Sequence, residues 1–440
     1  MFYSKKILVC GLARSGQAAA KLLSFMGAIV TAHDKNSAVT WGYNPNEFGI
    51  KDIAGSDIEH TVSDFDLIII SPGISIYAPF VQRAIEQNIP LWGEAELAYN
   101  LCPAPMIAIT GTNGKTTVTT LVGEILKQHN EDTVVGGNIG IPLTELMDNL
   151  TSKSLVVAEI SSFQLETIST FRPVISAVLN ITEDHLDRHK TMENYIAMKA
   201  RIFENQSEDD ICVLNYDNDI TREMTPPGKV VYFSSHATLK EGVFVKNGYI
   251  VSRFENKEAN VIELTKVTMI LENALAAITI ALVAGVSIDK IVDGIVGFAS
   301  VPHRIEFIRD IHGVKFYNDS KATNVASAIK AIELIQAPII LIGGGAEKDA
   351  DFTPWVESFG DKVREIILIG ETAARIVDTC IKLGFTRYIV TNSLQDAVTL
   401  AYGRSKPGDT ILLSPACASM DMFKNFEERG DLFRGYVGEL

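Results

Sequence analysis

Short apolar runs recur along nearly the whole chain, each ending in a glycine or small polar residue and each followed by a helical pattern. "KILVCG" (6–11), "DLIIISPG" (66–73), "PMIAITG" (105–111), "SLVVAEIS" (154–161), "ISAVLNIT" (175–182), "PIILIGGG" (338–345), "REIILIG" (364–370) and "DTILLSPA" (409–416) are the clearest. A run that is apolar at every position, rather than at every second one, belongs to a strand buried on both faces. Such strands need helices above and below, so the pattern predicts an α/β fold with mostly parallel sheets. A chain of 440 residues is long enough for several separate cores. Breaks in the alternation divide it at residues 1–94, 95–301 and 302–440. The first and third segments read as Rossmann-like domains, and the central one as a P-loop ATPase-type α/β domain. One stretch departs from the parallel pattern: "GVFVKNGYIVSRF" (242–254) reads as a hairpin turning at Asn247-Gly248.

Charge narrows the function. Lys plus Arg number 39 against 54 Asp plus Glu, a net −15, which argues against a nucleic-acid partner. The five cysteines (10, 102, 212, 380 and 417) are scattered without a C-x-x-C pair, as expected of a protein in the reducing cytoplasm. The start "MFYSKKILVCG" runs straight into a strand, so no signal peptide is expected. The most apolar run, 274–288, is too short to span a bilayer and reads as a buried helix. No membrane insertion is expected.

The chemistry begins at "IAITGTNGKTTVTTL" (107–121). A strand, a glycine turn and a helix follow one another here. The glycines let backbone N–H groups turn inward around a phosphate, and the helix N-terminus adds a positive dipole. Lys115 would sit on the β- and γ-phosphates, and the Thr116 hydroxyl is placed for Mg²⁺. The strict P-loop begins with a glycine at the position of Ile109, so the generic pattern is matched imperfectly. The competing reading is a tight turn with a solvent-facing lysine.

Other segments carry weaker signals by themselves. Gly11, Ala13 and Gly16 form a G-x-A-x-x-G turn after the first strand, and Asp34 follows the second. That spacing suits a nucleotide site, and close packing explains it equally well. Glu159 ends the strand "LVVAE", where a carboxylate can reach a metal. His185 and His189 are spaced i, i+4, but Leu186 stands where a zinc-protease helix has Glu, and His189 reads as structural. By its neighbours in sequence, Lys199 reads as a surface lysine on a helix.

"TGTNGKTT" (110–117) resembles the short P-loop of the Mur ligases, which form amide bonds at the expense of ATP in peptidoglycan precursor synthesis, and which share this loop with the folylpolyglutamate synthetases. "AEISSFQLE" (158–166), "LNITEDHLDRH" (179–189), "VPHRIEF" (301–307) and "NDSKATN" (318–324) extend the resemblance through all three segments. The start "GLARSG" and the closing run "LSPACASMDMFKNFEERGDLF" (413–433) look most like the D-glutamate-adding branch.

The resemblance implies a reaction. ATP phosphorylates the carboxylate of UDP-MurNAc-L-Ala, the amine of D-glutamate attacks the acyl phosphate, and phosphate leaves. It implies that Gly111, Thr112, Asn113, Gly114, Lys115, Thr116, Thr117, Asn273, Arg304, Asp319 and Lys321 contact ATP, with Lys115, Glu159, His185 and Lys199 in the catalytic centre. Two Mg²⁺ ions would be held with the help of Thr116, Glu159, His185 and Lys199, the last carrying a CO₂-derived carbamate. Ser15, Asp34, Lys35, Ser71 and Gly73 would line the uridine nucleotide, while Asn138, Ser161 and Gln164 reach the sugar–alanine arm. Thr323, Lys348, Ser419 and Phe426 would receive D-glutamate, although Phe426 fits core packing as well. One departure is local: the family has a His-Asn pair where this chain has Met269-Ile270, just before "NALAA". The expected enzyme is a monomer acting on small molecules. A folylpolyglutamate-synthetase-like ligase is the nearest rival, but it has no use for a uridine-binding segment at 1–94. A dinucleotide oxidoreductase leaves Lys115 and Glu159 unexplained. A non-catalytic nucleotide-binding relative leaves unexplained why Lys115, Glu159, His185 and Lys199 are all intact.

Overall fold

The computed structural model describes residues 1–298, 301–347 and 349–440. It contains three sheets. The first runs Lys51–Asp52, Ile29–His33, Lys6–Cys10, Leu67–Ile70, Leu91–Gly93 from edge to edge, all parallel. The second has nine strands, in the order Lys257–Glu263, Tyr249–Phe254, Gly242–Lys246, Lys229–Ser234, Ile211–Asn215, Ile175–Val178, Met106–Thr110, Leu155–Glu159, Thr133–Gly137. The third runs Glu306–Ile311, Val314–Asn318, Thr410–Leu413, Ile339–Gly343, Val363–Leu368, Tyr388–Val390, parallel except for its first pair. The chain forms two compact units, Met1–Phe298 holding the first two sheets and Ala299–Leu440 holding the third.

The expected α/β architecture with three domains is what forms, and the physical reason is visible in the strands. Ile107, Ile109 and Val157 face one core, while Met106, Ala108, Val156 and Ala158 face another on the opposite side of the same sheet. The third sheet divides in the same way: Ile339 and Leu341 point to one side, Ile340 and Ile342 to the other. Apolar residues at successive positions are therefore consumed by two cores. Helix Leu271–Val283 is buried nearly all round, as its composition requires. The expected hairpin is present, with Lys246 paired to Tyr249 across Asn247 and Gly248, both at positive φ.

Candidate active site

Strand Met106–Thr110 leads into the phosphate loop, and helix Lys115–His129 leaves it. Gly111 (φ +152) and Gly114 (φ +84) occupy conformations that suit glycine, and a Cβ on Gly114 would lie 2.3 Å from Asn273 Oδ1. Asn273 thus packs against the loop from helix Leu271–Val283, whose N-terminus has no side-chain cap. The loop is held from outside by Asn180. Its Oδ1 accepts from Asn113 N at 2.8 Å and its Nδ2 donates to Asn113 O at 3.1 Å. Thr112 accepts from Thr182 N and lies 3.1 Å from the Tyr195 hydroxyl. Lys115 Nζ donates to the Gly111 and Thr112 carbonyls, 2.9 Å each, folding back over the loop it is expected to serve.

Lys199 corrects its sequence-local reading. It is 1% exposed, not a surface lysine. Its Nζ donates to Gly111 O at 2.8 Å and lies 4.7 Å from the centre of the Tyr195 ring. Burial, and then the neighbouring Lys115 ammonium, push its pKa well below the ordinary lysine value. Such a shift favours the uncharged, nucleophilic form of the amine. The helical period of Met192–Ala200 gave no hint of this, because burial here comes from the loop packed across the helix.

Glu159 ends its strand buried, at 1% exposure. Oε1 accepts from Asn138 Nδ2 at 2.7 Å, and Oε2 is buried without a hydrogen-bond partner. A buried carboxylate oxygen left unpaired is costly. It fits a hard cation with oxygen ligands, and the Thr116 hydroxyl, in the first turn of helix Lys115–His129, is of the same donor class. Among the described residues no group of three His, Cys, Asp or Glu side chains converges to hold a metal. A Mg²⁺ here would therefore draw on hydroxyl and phosphate oxygens besides Glu159. His185 sits at φ 55, at the start of the short helix Leu186–His189, with its ring 4.9 Å from that of Phe163. His189 is structural, as expected: it is buried, its Nε2 is 3.0 Å from Ser162 Oγ, and burial pushes its pKa down to about 4.

The first sheet brings Gly11, Ser71 and Asp34 together. A Cβ on Gly16 would lie 1.9 Å from Gly11 O, and one on Gly11 would lie 2.6 Å from Ser71 Cβ. Packing alone thus requires both glycines, whatever binds above them. Asp34 accepts from Leu12 N at 2.7 Å and Asn36 N at 2.9 Å, which fixes the turn. Ser15 lies in the first turn of helix Arg14–Phe25, and Lys35 and Gly73 are exposed in loops. Ser161 and Gln164 form a capping box for helix Ser162–Leu165. Asn138 is spent on Glu159. All three side chains are thus partnered within the protein rather than projecting freely.

In the second compact unit, Arg304 is flanked by two residues in the left-handed region, His303 (φ 63) and Ile305 (φ 47). A β-branched residue there is strained. Arg304 Nε is buried without a hydrogen-bond partner. Asp319 is 1% exposed and accepts from Ile305 N at 3.2 Å and Ser414 Oγ at 2.8 Å. Burial pushes its pKa up to about 6. Its folded value lies above the unfolded value of about 4, so the folded state binds more protons between those two pH values. Stability should fall as pH rises from about 4 to about 6, and Asp319→Asn should flatten that slope in urea titrations at several pH values. Lys321 lies 5.2 Å from the ring of Phe426, which is half-buried rather than a core residue. Thr323 is half-buried and Ser419 buried, while Lys348 lies outside the described residues. Sequence reasoning missed Arg429. It is fully buried and donates to Ser320 Oγ and to the carbonyls of Ser320, Cys417 and Ala418. An arginine inside an acidic stretch, "NFEERGD", was the available signal.

Three family models match in series: the Mur ligase MurD-like N-terminal domain at residues 5–93, the Mur ligase middle domain at 109–281, and the Mur ligase glutamate ligase domain at 303–417. The chain belongs to the Mur ligase family. Its Mur ligase relatives include the UDP-N-acetylmuramoylalanine–D-glutamate ligase of Thermoanaerobacter sp. (strain X514), 44% identical, covering 99% of this chain and 98% of the relative. The enzyme of the same name from Lachnoclostridium phytofermentans is 42% identical over 100% of this chain and 99% of its own. Among solved structures, the fold is shared with UDP-N-acetylmuramate–alanine ligase from Thermotoga maritima at TM-score 0.62 and 16% identity, covering 99% of each chain. A pseudomurein peptide ligase type C from Methanothermus fervidus matches at TM-score 0.61 and 20% identity, covering 99% of this chain and 100% of its own. Among the described residues no helix is long and apolar enough to cross a membrane.

Proposed function

We propose that this chain is an ATP-dependent amide ligase that joins D-glutamate to UDP-N-acetylmuramoyl-L-alanine in peptidoglycan precursor synthesis. The observation that supports the chemistry is the grouping, at one phosphate loop, of the Lys115 ammonium, the unpaired Glu159 oxygen and the buried Lys199 amine. The substrate assignment rests on relatives above 40% identity along the full chain, named for that reaction. On this reading residues 1–94 bind the uridine nucleotide, 95–301 bind ATP, and 302–440 bind the amino acid. The enzyme acts as a monomer in the cytoplasm.

A carboxylate is a poor electrophile, so phosphorylation must supply the leaving group before an amine can attack. The loop from Gly111 to Thr117 cradles the phosphates with its amides, and Lys115 turns from the Gly111 and Thr112 carbonyls to the β- and γ-oxygens. Transfer of a phosphoryl group asks mostly for positioning and for cations near the developing charge. Thr116, Glu159, His185 and carbamylated Lys199 would help hold Mg²⁺, which would supply charge neutralisation for the phosphate. Arg304 adds a guanidinium whose Nε has no partner within its own domain. Asn273 orients the loop, Asp319 and Lys321 serve the nucleotide, and Thr323, Lys348, Ser419 and Phe426 receive D-glutamate. Ser15, Asp34, Lys35, Ser71 and Gly73 serve the uridine diphosphate, with Asn138, Ser161 and Gln164 on the sugar side.

Lys199, a buried amine whose pKa burial pushes down, is set up to add to CO₂: its nitrogen bonds the carbon, a proton leaves to solvent, and the carbamate turns a nitrogen donor into an anionic oxygen ligand. Carbon-13 bicarbonate should therefore give a carbamate resonance that Lys199→Arg lacks. Its absence at saturating bicarbonate and Mg²⁺ would remove the carbamate from the mechanism. The function itself is tested by phosphate release from ATP and UDP-N-acetylmuramoyl-L-alanine while the amino acid is varied. Release that requires D-glutamate and yields the amide supports the reading. Release with only another amino acid keeps the ligase and moves the substrate. Release independent of any amino acid sinks the ligase reading.

A further inference from the structure

Within "TEDHLDRH", Arg188 is used by no step above. Arg188 lies on the short helix Leu186–His189, three residues after His185, with its side chain 13% exposed. Its Nε and Nη2 donate to both oxygens of Glu166, at 3.1 and 2.5 Å. Glu166 is itself buried, its side chain 3% exposed. The guanidinium also lies 4.6 Å from the centre of the Phe163 ring, and that ring lies against His185. These contacts stay within the central domain. The remaining two do not: Nη2 donates to Ile74 O at 2.7 Å and Nη1 to Gly73 O at 3.4 Å, both in the loop that follows strand Leu67–Ile70 of the first sheet.

That loop is not an arbitrary piece of surface. Ser71 N donates to Cys10 O, Ile74 N donates to Ser71 O, and the Ile74 side chain packs where a Cβ on Gly11 would point. The loop and the Gly11 turn therefore form one body. Arg188 is a planar fork with all of its geometry fixed by a buried carboxylate and an aromatic face. Two carbonyls of a loop bonded to such a fork cannot drift without breaking charge-assisted bonds.

We propose that Arg188 is a positioning residue that locks the 71–74 loop of the first domain onto the central domain, holding the uridine-nucleotide site in register with the segment that carries His185. This rests on the reading of residues 1–94 as the uridine-nucleotide domain. Its consequence is selective. Loss of the fork should loosen the nucleotide-sugar site while leaving the phosphate loop, held by Asn180 and Thr112, as it was.

The test uses the full chain and three variants, Arg188→Ala, Arg188→Lys and Glu166→Gln, in steady-state kinetics and in calorimetric titration with UDP. Loss of one charge-assisted bond of this kind, such as the shorter one to Ile74 O, corresponds to roughly tenfold to a hundredfold in affinity. Arg188→Ala should raise KM for the nucleotide-sugar substrate and Kd for UDP by that factor, with KM for ATP changed less than about twofold on the same scale. Arg188→Lys keeps the charge but not the fork and should recover only part of the loss. Glu166→Gln, which frees the guanidinium, should move in the same direction as Arg188→Ala. Hydrogen exchange of the 71–78 amides should speed up in Arg188→Ala, and in Arg188→Lys if the alanine variant does not fold. Three results would overturn the proposal: an unchanged KM for the nucleotide sugar, equal rises in both KM values, or a fall confined to kcat. If the wild-type protein neither binds UDP nor turns over the nucleotide sugar, the functional reading fails instead, and the inference falls with it.

Discussion

Lys115→Ala should lower kcat about a thousandfold while leaving the fold intact. The magnitude follows from what the group is asked to do. Removing one preorganised neutral donor from a developing oxyanion costs about a hundredfold to a thousandfold, and a full charge on a transferring phosphoryl group is worth more. The stability cost should be small, because Lys115 is half-buried and the Gly111 carbonyl keeps its bond from Lys199 when the Lys115 side chain is gone. KM for the nucleotide sugar should not move. Single-turnover measurement of phosphate release, alongside thermal melting, separates these effects. A variant that melts like wild type yet retains kcat within about tenfold, far short of what a cation in this role contributes, would show that Lys115 does not face the reacting phosphate.

Glu159→Gln carries the second largest expected effect. Glutamine keeps the size of the side chain and its acceptor for Asn138, and replaces the unpaired oxygen with an amide. The substitution removes a buried charge, so the melting temperature should hold or rise. Activity should fall about a hundredfold, and the Mg²⁺ concentration for half-maximal activity should rise roughly tenfold to a hundredfold, the range seen when groups around a metal are altered. Magnesium titration of the variant reads both. A lowered kcat with an unshifted Mg²⁺ dependence would assign Glu159 to shaping the loop through Asn138, and not to the metal.

The two effects differ in kind, and the structure shows why. Lys115 is mobile chemistry on a fixed loop. Glu159 is a fixed strand end whose second oxygen is buried without a hydrogen-bond partner among the described residues. Arg304 has the same character in the second compact unit, with a buried Nε unpartnered among the described residues and a strained Ile305 beside it. Orphaned polar atoms of this sort are rare in folded proteins and concentrate where ligands bind.

Much of this was legible from the residues alone. Strands such as Met106–Thr110 and Ile339–Gly343 are apolar at every position because both faces are covered, and that pattern survives in a linear string. Gly111, Gly114, Lys115 and Thr116 were legible for the same reason: a phosphate loop is built by neighbours in sequence, so its spacing is its geometry. Asn247-Gly248 announced a hairpin by turn chemistry that is equally local. What could not be read was every property conferred by a distant segment. Lys199 is buried because the Gly111 carbonyl, from a loop 88 residues away, closes over it, and no helical period records that. Arg188 and Arg429 looked like ordinary charges in polar stretches, yet each donates to at least one carbonyl more than a hundred residues distant. The sequence by itself determined which strands exist, where the phosphate loop lies and which residue types it offers, because these depend on periods of two to four residues. Only the tertiary structure decided which lysine is buried, which carboxylate oxygen is unpaired among the described residues and which arginine joins two domains. Burial and partnership are set by long-range packing, which local sequence spacing does not encode.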